Sequence, residues 1–177
     1  TRAELRASLN REQRARHLAF HDDLTALPNR RYFHQRLRAA LQSPAESFNL
    51  AVIYLDLDGF KKINDTHGHE TGDRLLNLVA ARLARAMRTE DLVSRIGGDE
   101  YACLITGVTN RERLQQIAVT LVEAVSTPFS VDLRVLSVLP SIGIAVYPAD
   151  GTTIDQLMKS ADQAMYQAKQ MRCAFQF

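Results

Sequence analysis

Cysteine is nearly absent, since Cys103 and Cys173 are the only two among 177 residues. They have neither metal-ligand spacing nor a paired framework, which excludes a disulfide-stapled scaffold. Cys103 lies in an apolar, strand-like run and is expected in the core, and this sparse usage fits a reducing cytoplasm. Charge of one sign is scarce too. A formal net charge of +2 gives no electrostatic basis for gripping long DNA or RNA, although small phosphorylated ligands need only local cations. No apolar run approaches the roughly 20 residues that cross a bilayer, and residues 1–16 are too polar for a secretory leader. The chain begins with Thr1 rather than Met. A cytoplasmic piece of a longer protein is therefore expected, with room for a membrane anchor elsewhere.

What is present reads as one domain with a full hydrophobic core, without internal repeats or low-complexity tracts. Residues 1–20 read as a linker helix, with Leu5 and Leu9 one turn apart but too few apolar positions for a coiled coil. Asn29 is a good N-cap for a helix carrying Phe33, Leu37 and Leu41. Leu50 to Leu57 is apolar without alternation, as in a strand buried on both faces, and it ends in Asp56 and Asp58. A polar loop precedes a helix from about Asp73 to Arg88. Leu92-Val93 and Ala102-Cys103-Leu104-Ile105 flank Gly97-Gly98 as the arms of a hairpin. Leu114, Ile117, Leu121 and Val125 mark another helix, residues 129–147 a bent hairpin, and Ile154, Leu157, Ala161 and Met165 a last helix. The order predicts an α/β (α+β) fold, a ferredoxin-like, palm-type βαββαβ core with an added helix at each end.

Two carboxylate groups carry the chemistry. Asp56 sits deep in an apolar strand, where a carboxylate is costly unless it meets a cation or strong donors. Asp58 points the same way but reads better as a cap for the loop after it. Asp99 and Glu100 follow the Gly97-Gly98 turn, whose glycines allow close approach of a ligand. If the hairpin lies beside the Leu50–Leu57 strand, Asp56 and Asp99 can share a hard cation with substrate phosphates. Lys61 and Lys62 suit phosphates, and Asn64 and Asp73 could read a guanine edge. The bland alternative for Asp73 is a place in the first helical turn, favoured by the helix dipole. His67 and His69 lack a third partner and make a poor metal site.

These residues fall into ordered motifs: Asp22-x-Leu24-Thr25-x-Leu27-x-Asn29-Arg30, Asp56-Leu57-Asp58-Gly59-Phe60-Lys61-Lys62-Ile63-Asn64-Asp65, Gly68-His69-x-x-Gly72-Asp73, Gly97-Gly98-Asp99-Glu100-Tyr101, Ser141-Ile142-Gly143-Ile144-Ala145 and Ala161-Asp162-x-Ala164-Met165-Tyr166-x-Ala168-Lys169. Together they resemble the GGDEF family of diguanylate cyclases over about residues 20–172. The resemblance implies a GGDEF domain at 21–173, followed at 174–177 by the start of a linker. It implies conversion of two GTP into cyclic di-GMP and two pyrophosphates by an antiparallel homodimer. By the same resemblance, Mg²⁺ (with Mn²⁺ as a substitute) would be held by Asp56, Asp99, Glu100 and the Leu57 carbonyl. Asp99, Glu100 and Lys169 would be catalytic. Asn64 and Asp73 would read guanine, Phe60 and Lys61 would cradle the triphosphate, and Gly97 and Gly98 would admit the nucleotide.

Arg88-Thr89-Glu90-Asp91 matches the family's RxxD site for inhibitory product, an assignment that suits the bidentate fit of Arg to guanine. The bland reading is a helix-terminal Arg and a turn acid. Three departures stand out. Tyr101 replaces the usual Phe, and its hydroxyl needs a partner. The last helix continues Lys169-Gln170-Met171-Arg172-Cys173, without the customary Gly. Leu139-Pro140-Ser141 breaks the usual strand alternation and resembles GGDEF domains that precede EAL phosphodiesterase domains. An alternative follows, a GTP- or cyclic di-GMP-binding regulatory domain acting on an adjacent EAL domain, with a sensor domain as another expected neighbour.

Overall fold

The computed structural model describes residues 5–6, 18–43, 50–107 and 110–177, so most of the expected linker helix lies outside the described residues. Helix α1 (Arg30–Gln42) starts where Asn29 accepts the Tyr32 N–H at 3.1 Å, satisfying a donor that the first turn leaves free. Its buried stripe is Phe33, Leu37 and Ala40. Strand β1 (Leu50–Asp58) is buried on both faces. Ala51, Ile53, Leu55 and Leu57 enter one core, while Leu50, Val52 and Tyr54 enter the other. This two-sided burial explains the absence of alternation.

After β1 the expected polar loop is helical instead: α2 (Phe60–His67) and α3 (His69–Ala86) meet at Gly68. Gly68 adopts φ +87, so the glycine both ends α2 and opens α3. Asp73 consequently lies in the second turn of α3, not the first, where Glu70 stands instead. The polar run concealed α2 because only Phe60 of that helix is buried.

Strands β2 (Leu92–Gly97) and β3 (Glu100–Thr106) form the hairpin, and α4 (Arg111–Ser126) follows. The region expected as one bent hairpin divides in two. Strands β4 (Phe129–Val131) and β5 (Arg134–Leu136) form a separate small sheet, while β6 (Leu139–Val146) joins the main one. Helix α5 (Ile154–Met171) and the short β7 (Phe175–Gln176) complete the order. The main sheet runs β2-β3-β1-β6-β7. Its first four strands pair antiparallel throughout, which is the ferredoxin-like βαββαβ core, and β7 adds a parallel edge.

Helices α3 and α4 cover one face of the sheet, with α1 and α5 on the other. Tyr101 is fully buried, and its hydroxyl donates to the Leu76 carbonyl of α3 at 3.0 Å. The hydroxyl added to this position thereby acquires the partner it needs. Gly143 of β6 lets α5 rest directly on the sheet, since a Cβ there would collide with the backbone of Ala161 and Met165. Pro140 sits inside the sheet without breaking its main ladder. The Tyr147 N–H donates to the Leu50 carbonyl, and the Ile142 N–H donates outward to Ala174. Alternation along an antiparallel ladder then turns the donor-less nitrogen of Pro140 away from β1, toward the β7 edge.

Candidate active site

Register brings the two carboxylate groups together. Asp56 lies directly opposite Glu100 across β1 and β3, and opposite Ser141 across β1 and β6. Paired residues point to the same face, here the face covered by α5. From the last turn of α5, Lys169 Nζ donates to Asp56 Oδ1 at 2.7 Å and stands 3.5 Å from Asp58 Oδ1. The same contact with Asp56 raises the Lys169 ammonium above its ordinary range, against a smaller effect of burial. Asp58 does not cap the following loop as expected. It accepts the Ser141 hydroxyl at 2.8 Å, and the residue before α2, Gly59, makes no side-chain cap.

The hairpin tip is braced from outside the sheet. Arg95 Nε and Nη2 donate to the Gly98 carbonyl at 3.0 and 2.7 Å, while Nη1 reaches both carboxylate oxygens of Asp22 at 3.1 and 2.9 Å. Burial pushes the Asp22 carboxyl upward, but hydrogen bonds from Thr25 and Arg95 outweigh it and hold the group below its usual range. Gly98 takes φ +41, a conformation that side chains disfavour. Of this brace the sequence showed only Asp22, a motif residue with no role attached.

Burial raises Asp99 and Glu100 above the ordinary carboxylate range, and the charge of Asp56 adds to both. Asp99 and Asp162 push Glu100 further the same way, while a hydrogen bond from Tyr54 opposes them. Carboxylates crowded in this manner favour a cation between them. Alternation in the ladder also turns the Leu57 carbonyl toward β3, whose pairing with β1 ends one residue earlier at Asp56–Glu100. The donor set is thus all oxygen, which suits Mg²⁺. Among the described residues no three His, Cys, Asp or Glu side chains form a ready metal cage. Mg²⁺ commonly uses only one or two carboxylates and completes its shell with phosphates and water, so this open set fits it.

Beside the strand end, Phe60 is buried at the start of α2 and Lys61 is exposed. Asn64 Oδ1 is buried without a hydrogen-bond partner among the described atoms. A Cβ on Gly72 would collide with that oxygen, so glycine in α3 keeps open the space beside the Asn64 amide. Asp73 follows it and is exposed. Arg88 and Asp91 lie in a turn before β2, the sheet's edge strand. Arg88 is exposed and 3.6 Å from Glu90, and its N–H donates to Asp91 Oδ2 at 3.4 Å. Burial raises the Asp91 carboxyl, whose Oδ1 has no partner among the described atoms. At the end of α5, Arg172 takes φ +52 and closes the helix in the place of the missing glycine.

Comparison with known proteins agrees with this architecture. The family described as "Diguanylate cyclase, GGDEF domain" matches residues 19–173. The bifunctional diguanylate cyclase/cyclic di-GMP phosphodiesterase MucR of Pseudomonas aeruginosa is 43% identical over 86% of the chain, which spans 22% of MucR. Diguanylate cyclase TpbB of the same species is 41% identical over 86% of the chain and 36% of its own length. The chain therefore spans about a fifth to a third of these relatives. The solved GGDEF domain of TpbB superposes with a TM-score of 0.82 at 39% identity, covering 87% of this chain and 91% of that one. The coiled coil and GGDEF domain of DgcB from Caulobacter crescentus, solved with c-di-GMP, gives 0.84 at 27% identity, covering 98% and 92%. No described helix is long and apolar enough to cross a membrane. This chain belongs to the GGDEF family of diguanylate cyclase domains.

Proposed function

We propose that the domain is an active diguanylate cyclase, joining two GTP into cyclic di-GMP with release of two pyrophosphates. The observation that carries this reading is the meeting of Asp56, Glu100 and Lys169 at one end of the sheet, beside the Asp99 turn. Bound Mg²⁺ would neutralise phosphate charge and polarise the α-phosphate under attack. Asp56, Asp99, Glu100 and the Leu57 carbonyl would hold the ion. Asn64 and Asp73 would orient guanine through its amide and amine edge, in the space that Gly72 leaves open. Phe60 and Lys61 would line the triphosphate, and Lys169 would exchange its carboxylate partner for phosphate. Glu100, whose carboxyl is raised above its ordinary range by burial and by the charge of Asp56, would accept the proton of the attacking 3′-hydroxyl in its ionised form. Phosphoryl transfer needs chiefly positioning and charge neutralisation, and a carboxylate-lined, lysine-flanked strand end offers both.

With one GTP per domain, turnover needs two domains face to face, so rate per chain should rise with protein concentration. Cyclic di-GMP would bind Arg88 and Asp91 and restrain turnover. The test is incubation with GTP and Mg²⁺ while following pyrophosphate and cyclic di-GMP across protein concentrations. GTP binding without product, even with dimerisation enforced, would overturn catalysis. It would favour the second reading, a nucleotide-binding regulatory domain for a neighbouring EAL phosphodiesterase. The specific observation favouring that reading is Arg172, which serves as an exposed left-handed helix end in a segment where the family usually supplies a phosphate-facing Arg after glycine.

A further inference from the structure

Helix α1 carries Arg30, Arg31, Arg36 and Arg38 with His34 and no acidic residue. All four arginines are exposed, and none forms an ion pair with a described residue. Three of them share a groove of about 670 Å³ with Phe20, His34 and Gln35. Arg31 stacks over the Phe20 ring at 5.3 Å, which fixes one guanidinium at the groove wall. His34 and Arg38 also line an adjoining cavity of about 380 Å³ that reaches Thr153, Ile154 and Asp155 at the start of α5. His34 Nε2 is buried with no hydrogen-bond partner among the described atoms. Among the described residues Asp155 is the one carboxylate lining either space, against three arginines.

We propose that this groove binds a small molecule carrying two or more linked phosphate groups, at a site separate from both the strand-end site and the Arg88–Asp91 turn. Guanidinium forks match phosphate oxygens in pairs. Arg30 and Arg38 are eight residues apart, about 12 Å along a helix, a span that one phosphate does not bridge but linked phosphates with converging side chains do. Gln35 adds an amide donor, and Phe20 gives a nucleotide's base an aromatic wall. The floor is fixed: the Asn29 N–H donates to the Phe20 carbonyl at 2.9 Å, and the Asn29 amide to Ala19 and His21. Asn29 in turn bridges to Arg95, so a ligand here sits two contacts from the catalytic hairpin.

The experiment uses the whole chain without divalent cations, with pyrophosphate as the probe and the His34 imidazole NMR signals as the local readout. Titration should shift those signals saturably in wild type and in Arg36→Gln, which removes one charge outside the groove, as Arg38→Gln removes one within it. Arg31→Gln with Arg38→Gln should weaken binding at least tenfold, as should Arg38→Gln alone to a lesser degree if the double variant folds poorly. A parallel titration with GMP and GDP separates a nucleotide source from free pyrophosphate, since a groove selective for linked phosphates should prefer GDP to GMP. Equal loss in Arg36→Gln would reduce the effect to diffuse charge and overturn the site. So would His34 signals that do not move, or an RNA oligonucleotide that binds these residues more tightly than pyrophosphate. None of these outcomes bears on cyclase activity, which is read separately.

Discussion

Lys169 Nζ lies 2.7 Å from Asp56 Oδ1, joining the last turn of α5 to the end of the first strand. The pair is half open, with the lysine 46% and the aspartate 14% exposed, so its worth to stability is small. Its worth to function should be larger. Lys169→Met is expected to lower the rate of cyclic di-GMP formation by about 100-fold, in the range set by the loss of one charged phosphate contact. Thermal unfolding should shift by no more than a few degrees. A variant that melts normally and turns over at the wild-type rate would remove Lys169 from the reaction.

Asp99 and Glu100 make a second prediction through their raised pKa values. A carboxyl whose pKa is higher folded than unfolded binds more protons in the native state. Stability of the metal-free protein should therefore fall as pH climbs from the ordinary carboxylate range through the raised one. Asp99→Asn with Glu100→Gln should flatten that fall and abolish turnover. Added Mg²⁺ should raise the melting temperature of wild type, more at pH 7 than at pH 5 because protons compete for the same oxygens. It should leave the double variant unmoved. Melting curves across pH, with and without Mg²⁺, provide the check.

Gly72→Ala probes the guanine side. The new methyl must displace the Asn64 side chain, with the Phe60 ring next in line at 3.2 Å. Asn64 can swing away, so folding should survive at a cost of about 1–2 kcal/mol. GTP affinity should fall about tenfold or more, while ATP, if it binds at all, should bind no worse than before. Calorimetry with both nucleotides tests this.

Arg88→Ala should weaken cyclic di-GMP binding by about 1–3 kcal/mol, the scale of a bidentate contact to guanine, and relieve product inhibition without altering the initial rate. Progress curves with added cyclic di-GMP would show it, and unchanged inhibition would dissociate Arg88 and Asp91 from the product.

Much of the fold was legible because burial leaves a clear mark. The unbroken apolar run of β1, the stripe of α1 behind Asn29 and the glycine turn between β2 and β3 all stand where the sequence pattern puts them. Helix α2 was concealed because a helix that buries only Phe60 has no stripe to reveal it. The site was legible as motifs, and the facing of Asp56 and Glu100 follows once β1 pairs with β3. The Lys169–Asp56 pair, the Ser141–Asp58 bond and the Arg95 brace join residues far apart in the chain. Local spacing contains no term for such contacts, and Asp58 was accordingly misread as a cap.

The Arg95 brace has a thermodynamic consequence. A glycine-rich tip free in solution would sample many backbone states, and fixing each residue costs about 1–2 kcal/mol of entropy. By tying the Gly98 carbonyl to Asp22 through one guanidinium, folding settles that cost before any nucleotide arrives. A tip already ordered can give its contacts to binding almost undiminished.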